Sequence, residues 1–328
     1  MSDTGILYLS RGDLDRLGLG MDEVIVAVED ALRAKGLAQA VMPPKLTLHG
    51  EAGAFSQVMA AALPESGGLG VKWVTIVPGN AAAGLPVVNG LVVVNEVTTG
   101  LPAAVMDASL VTAWRTGASV GVAARYLARG DTACVGVLGC GVQARAAVDA
   151  LAVVLPQLRA VRCFDVVEAA MARFVADVRR RHAGLSVAAC SAAHEIARGA
   201  GVVVSAITMT DELRPPLDAG LLEEGSLAVA LDYDAAWSPA AMAACDRFYC
   251  DDTPQVLATK AAGVRLQGIP ASIAGDLGEL AAGRVDGRRD PAERLFCMNL
   301  GVAVEDVATA QLVFARARER GVGLTVPR

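Results

Sequence analysis

Lysine is scarce in this chain and oddly placed. Of the 29 lysines and arginines in its 328 residues only four are lysines, at 35, 45, 72 and 260, so arginine serves wherever a surface cation suffices. Lys72 interrupts the apolar run Gly70-Val71-Lys72-Trp73-Val74, and Lys45 follows Met42-Pro43-Pro44. A charge inside a buried strand is costly unless a partner meets it. Arginine could carry that charge, but only lysine readily gives up its proton when desolvated. The placement of Lys72 therefore points to acid–base work, with an edge strand turning Lys72 to solvent as the alternative that the pattern leaves open.

A second chemistry-bearing stretch is Gly139-Cys140-Gly141-Val142-Gln143-Ala144, a G-x-G-x-x-A pattern between the apolar run 134–138 and a helix. In such a loop the first glycine makes the tight turn, the second lets the backbone approach a pyrophosphate, and a small third residue keeps helix and strand close. Val142 and Gln143 open the helix, whose free N–H groups meet the anion. Asp165 closes the next strand, 26 residues after Gly139. A carboxylate there accepts hydrogen bonds from an adenosine ribose and repels the 2′-phosphate of NADP. Val166 and Val167 follow and offer no cation to hold that phosphate. The stretch points to NAD as cofactor; a plain helix cap at Asp165, or the glycine-rich loop of a methyltransferase, are the blander readings.

The elements that must position these groups follow from periodicity. Apolar residues at Val24, Ile25, Val28, Ala31 and Leu32 predict a helix from Met21 to Lys35, with Gly36 as its stop. Val71–Val77 and Leu91–Val94 read as strands and 112–127 as a helix. From residue 133 onward, short apolar strands at 134–138, 161–165, 187–190, 202–206 and 227–231 alternate with helices, including one from Glu168 to Ala183. That alternation predicts an α/β fold with a doubly wound parallel sheet of Rossmann type. One long amphipathic helix follows from Gly301 to Arg320.

Composition narrows the partners. The net charge is −6, and the densest basic run is Arg179-Arg180-Arg181 on a charged helix, so nucleic acid is not expected. Residues 73–95 form the longest charge-free stretch, but Pro78, Gly79, Asn80, Gly84, Pro86 and Asn89 break it, which predicts strands and a loop rather than a membrane span. Seven cysteines without a CxxC pair, together with an N-terminus lacking a basic start and apolar run, predict reduced thiols and a cytoplasmic protein. The three histidines, at 49, 182 and 194, lack ligand spacing, and no metal is expected.

Taken together, these stretches resemble the ornithine cyclodeaminase/mu-crystallin family, especially its archaeal-type alanine dehydrogenase branch. The resemblance rests on 42–45 (MPPK), 70–74 (GVKWV) with 78–80 (PGN), 84–86 (GLP), 105–107 (VMD), 112–118 (TAWRTGA), 139–144 and 301–308 (GVAVEDVA). It implies a Rossmann domain, residues 119–305, inserted into a discontinuous α/β substrate-binding and dimerisation domain made of 1–118 and 306–328. It further implies that Lys72 is the catalytic lysine and that Lys45 holds the substrate carboxylate. Arg115 and Thr116 would meet the cofactor pyrophosphate, Asp165 the ribose, and Thr208 the nicotinamide side. Asp234 would lie near the reacting carbon, and a homodimer is implied.

Two departures bear on the substrate. The family's Gly-x-Asp-x-x-x-Lys pattern reads here as Asp232-Tyr233-Asp234-Ala235-Ala236-Trp237-Ser238, which puts Ser238 in place of the lysine and an extra carboxylate, Asp232, at the cofactor edge. The second substrate-binding arginine of the alanine dehydrogenases falls near Ser56 and Gln57. The expected activity is NAD-dependent hydride transfer at the α-carbon of a small amino or imino acid, as in an alanine dehydrogenase or imine reductase. A cyclodeaminase that recycles its NAD, using Asp232 and Asp234 on a distal amine, is the nearest alternative. A crystallin-like cofactor binder with little catalysis is the other.

Overall fold

The computed structural model describes residues 5–51, 53–209, 214–263 and 265–328; part of the reading of the N-terminus rests on residues 1–4, which lie outside them. The elements run β1 (Ile6–Leu9), α1 (Arg11–Arg16), α2 (Met21–Gly36), β2 (Leu46–His49), β3 (Phe55–Leu63), β4 (Gly68–Ile76), β5 (Val88–Asn95), β6 (Pro102–Asp107) and α3 (Ala108–Leu127). There follow β7 (Cys134–Leu138), α4 (Val142–Val154), β8 (Ala160–Phe164), α5 (Glu168–Arg181), β9 (Ser186–Ala189), β10 (Val202–Ser205) and β11 (Leu227–Ala230). The chain ends with α6 (Pro239–Ala243), β12 (Arg247–Cys250), α7 (Thr253–Ala261), β13 (Gly275–Asp276), α8 (Leu277–Ala281), β14 (Leu295–Met298), α9 (Ala303–Arg320) and β15 (Leu324–Val326).

Two compact units result, Met1–Arg115 with Val302–Arg328, and Thr116–Gly301. The sequence places the borders at 118/119 and 305/306, and the compact units divide at 115/116 and 301/302. The second border matters because Glu305 and Asp306 sit in the first turn of α9 and so fall in the first unit.

In the first unit a seven-stranded sheet has the order β15-β1-β6-β5-β4-β3-β2. Helix α9 packs across β3, β4 and β5 and beside α2. Helix α2 buries the five apolar positions that its spacing predicts, and Leu9, Val92, Val94 and Met106 meet Ala310, Val313 and Ala317 of α9 in the core. Helix α3 begins at Ala108 rather than at 112, because Asp107 accepts the backbone N–H groups of Ser109 at 3.0 Å and Leu110 at 3.3 Å and so satisfies its first turn.

The second unit holds an eight-stranded sheet, β13-β12-β14-β11-β10-β7-β8-β9, in which every pairing is parallel. From β7 the chain winds outward through β8 and β9, then returns to β10 on the other side of β7. The reversal between β7 and β10 is a switch point, and ligands of such sheets bind beyond the strand ends there. Among the described residues no helix is long and apolar enough to cross a membrane.

Candidate active site

Lys72 lies on β4, an interior strand between β3 and β5, which rules out the edge-strand alternative. Side chains alternate along β4, so Gly68, Gly70, Lys72 and Val74 face the covered side while Trp73 is exposed on the other. Lys72 is 1% exposed. Its partner is Asp306, whose Oδ1 accepts from Lys72 Nζ at 2.7 Å. The close approach of α9 depends on the small residues of β4. A Cβ added to Gly68 would stand 3.1 Å from Val307 Cγ1, and one on Gly70 would stand 3.6 Å from Val307 Cγ2. Larger residues there would lift α9, and Asp306 with it, away from Lys72.

Arg115 completes the cluster. Its Nε lies 3.1 Å from the same Asp306 oxygen, and its Nη1 donates to Glu305 Oε2 at 3.2 Å. Glu305 and Asp306 are fully buried and sit at a helix N-terminus, where negative charge is favoured. The Lys72 amine is lowered to about 8, first by burial and then by the Arg115 charge, while Asp306 opposes the shift and Lys45 adds to it. An amine with such a pKa is divided between acid and base forms close to neutral pH. The resemblance places Arg115 at the cofactor pyrophosphate; here its guanidinium is engaged with Glu305 and Asp306. Glu305 and Asp306 were given no role from the sequence.

Strand register locates the neighbours. Lys72 pairs with Met59 on β3 and Val92 on β5, and Thr47 pairs with Gln57, which pairs with Val74. Gln57 and Thr47 thus share the Lys72 side, one step along the sheet. Ser56 turns to the opposite side, where its hydroxyl bonds Thr75 at 2.8 Å. Of the two positions near which the second arginine falls, only Gln57 shares the face of Lys72. Lys45 is half-buried just before β2.

In the second unit the glycine loop follows β7 at the switch point. Gly139 has φ +84°, and a Cβ on it would meet the Ala206 carbonyl oxygen at 2.5 Å, so only glycine fits. Nothing stands within 4 Å of where a Cβ on Gly141 would be. Gly141 also caps α4 without any side-chain hydrogen bond, leaving the first N–H groups of the helix to a ligand. Val142 is exposed, and Gln143 Oε1 is buried without a hydrogen-bond partner among the described residues. The open cradle, the uncapped helix start and this orphaned amide fit a bound pyrophosphate. Asp165 accepts the Cys140 N–H at 2.7 Å through Oδ2 and the Val167 N–H at 2.8 Å through Oδ1. The cap position of α5 falls on Val167, so Asp165 is not a simple helix cap, and each of its oxygens keeps a lone pair for a ribose hydroxyl.

The remaining predicted residues are placed as follows. Thr116 is the buried first residue of this unit, and Thr208 is exposed just after β10. Asp232 is buried and accepts from Ser205 Oγ at 2.8 Å and the Ile207 N–H at 3.0 Å; burial raises its carboxyl to about 6. Asp234 Oδ2 accepts the Leu266 N–H at 2.7 Å, and Oδ1 lies 3.6 Å from Arg265. Ser238, which stands where the family has lysine, caps α6 by accepting the Ala241 N–H at 3.1 Å.

A parallel sheet with a glycine loop at its switch point and a carboxylate beyond the next strand defines a Rossmann dinucleotide-binding protein. A family model described as the ornithine cyclodeaminase/mu-crystallin family matches residues 16–321, and the chain belongs to that family. Alanine dehydrogenase from Archaeoglobus fulgidus is 35% identical to it over 97% of each chain. The structure of Δ1-pyrroline-2-carboxylate reductase from Thermococcus litoralis, in complex with NADH and L-proline, has 29% identity and a TM-score of 0.88, covering 98% of this chain and 100% of that one. An archaeal alanine dehydrogenase dimer with bound NAD has 33% identity and a TM-score of 0.85, covering 98% of each.

Proposed function

We propose that the chain is an NAD-dependent oxidoreductase acting at the α-carbon of a small amino or imino acid, as an alanine dehydrogenase or imine reductase does. The carrying observation is Lys72, a buried amine held near neutral titration beside Asp306. Relatives whose names state dehydrogenase or imine-reductase activity, two of them in structures with NAD or NADH, support the reading. NAD(H), when bound, supplies the hydride acceptor or donor. Gly139, Gly141, Val142 and Gln143 would hold its pyrophosphate together with Arg115 and Thr116, Asp165 its ribose, and Thr208 and Asp232 the edge nearer the nicotinamide.

The chain's own groups do the rest. Lys45 binds the substrate carboxylate. In the reductive direction protonated Lys72 gives its proton to the substrate side, and in the oxidative direction the neutral amine takes one. Asp234 is the second acid–base group, braced by Leu266 and Arg265. The cyclodeaminase alternative needs Asp232 and Asp234 for a distal amine. Asp232 is buried, with Ser205 and Ile207 on its two oxygens, which leaves a distal amine little access and favours the oxidoreductase. A protein that only bound cofactor would not need a buried titrating amine.

The exposed side of the first unit's sheet supports a homodimer. Leu46, Val58, Trp73 and Leu91 line up in register, and Leu46, Trp73 and Leu91 are 58%, 51% and 46% exposed. Seven cysteines without a CxxC pair fit a reducing, cytoplasmic setting. A turnover screen tests the activity: NADH with ammonia and a panel of 2-oxo acids, NADH with cyclic imino acids, and ornithine with NAD. Net NADH oxidation in one of the first two arms is expected. Ammonia release from ornithine without net NADH change, or tight NADH binding with no turnover anywhere, would sink the proposal.

A further inference from the structure

Four charged side chains meet beside β4, and they do not divide into two separate pairs. Lys72 and Arg115 both reach the same oxygen of Asp306, Oδ1, at 2.7 and 3.1 Å, while Glu305 takes the other end of Arg115. We propose that Asp306 is the positioning residue of this site, aiming the Lys72 amine, and that Arg115 limits how strongly the shared carboxylate holds the ammonium. The proposal rests on the reading that Lys72 moves the proton.

The geometry gives each partner a separate task. Lysine has three rotatable donors on a flexible stem, and a stem in a buried pocket goes where its charge is satisfied. Asp306 is held on the first turn of α9, whose seat on β4 is set by Gly68 and Gly70, so its carboxylate is a fixed target. Were Asp306 the sole partner of Lys72, the pair would hold the proton firmly. A second cation on the same oxygen weakens that hold, and Lys45 adds a further positive charge nearby. The charged groups acting on Lys72 are then Asp306 from α9, Arg115 from α3 and Lys45 from the segment before β2, while Glu305 of α9 is held on Arg115. The second oxygen of Asp306, Oδ2, is buried with no hydrogen-bond partner among the described residues, so the carboxylate keeps acceptor capacity without releasing the amine.

The scarcity of lysine makes the test direct. With 13C at lysine Cε the full-length protein gives four signals, one per lysine, and the one lost in Lys72→Met is that of Lys72. Its titration midpoint in wild type is expected near 8. Asp306→Asn removes the anion and should move the midpoint down, with kcat reduced by about 10–100-fold and NADH affinity unchanged. Arg115→Met removes the competing cation and should move the midpoint up. Asp306→Glu should restore the midpoint most of the way. Midpoints that stay put in both Asp306→Asn and Arg115→Met overturn the proposal. If Asp306→Asn does not fold, the Arg115→Met arm decides alone, and a midpoint that fails to rise overturns it. Opposite shifts accompanied by full turnover in Lys72→Met would leave the placement by Asp306 standing and remove the proton-transfer reading instead.

Discussion

Asp165 and Cys140 are joined side chain to backbone, with Oδ2 of Asp165 accepting the Cys140 N–H at 2.7 Å. The carboxylate proposed to read the cofactor ribose therefore also holds the loop proposed to cradle its phosphates. Replacing Asp165 with Ser and Val166 with Arg should shift preference from NAD toward NADP. A charge-assisted hydrogen bond is worth about 1.5–3 kcal/mol, so NAD affinity should fall by about one to two decades. Fluorescence titration with NADH and NADPH reads both effects. A wild-type protein that already prefers NADPH would remove Asp165 from the recognition of the ribose.

The apolar row opposite Lys72 makes a prediction about assembly. Trp73 and Leu91 are directly paired on β4 and β5 and are exposed. Burying an apolar side chain of this size contributes about 1.5–3 kcal/mol. The double variant Trp73→Glu, Leu91→Lys should weaken dimerisation by about two to four decades, giving monomers at micromolar concentration in analytical ultracentrifugation. Lys72 faces the other side of the sheet, so the fold of each subunit should survive. A variant that sediments like wild type as a dimer would place the interface elsewhere.

Asp232 predicts a pH dependence of stability. Its carboxyl is raised by burial from 3.8 to about 6, so between those values the folded chain keeps a proton that the unfolded chain has lost. Stability therefore falls as pH rises through that window and gains as pH drops through it. The contribution is of order 2–3 kcal/mol for one buried group. Asp232→Asn keeps an acceptor for the Ile207 N–H and a donor for Ser205, and it should flatten the change in Tm between pH 4 and 6. An unchanged slope would show that Asp232 does not carry the linkage.

Much of this was legible in the residues, and what was missed has a physical cause. The glycine loop and the strands from β7 to β11 were readable because buried parallel strands appear as short apolar runs. Strand β3 was not, since Met59-Ala60-Ala61-Ala62 has neither alternation nor branched side chains to separate strand from helix. Strands β12 and β14 are four residues each and lie among loops. Lys72 stood out because a charge broke an apolar run. Asp306 did not, because acidic residues in the first turn of a helix are ordinary. A signal was nevertheless present: Asp306 shares a helical stripe with Ala310, Val313 and Ala317, all fully buried, so the spacing puts its carboxylate on the apolar face of α9. The pairing itself, between residues 234 positions apart, needed the three-dimensional fold.

Lys72 carries the proposed mechanism, and its variants separate charge from proton transfer. Lys72→Arg keeps a cation but loses a group that can deprotonate near neutral pH. Lys72→Met keeps the length and loses both. If the lysine transfers a proton, both variants should lose about 10²–10⁴-fold in kcat. If it only holds a substrate carboxylate, Lys72→Arg should keep most of its turnover with a raised KM. Removing one member of a buried ion pair costs about 3–5 kcal/mol, but Arg115 remains 3.1 Å from Asp306 and should soften that loss. Thermal melts must therefore accompany the kinetics, and NADH binding should persist, because Gly139, Gly141 and Asp165 lie in the other unit. Near-wild-type kcat in a folded Lys72→Met protein would take Lys72 out of the chemistry and leave Asp234 as the remaining acid–base group.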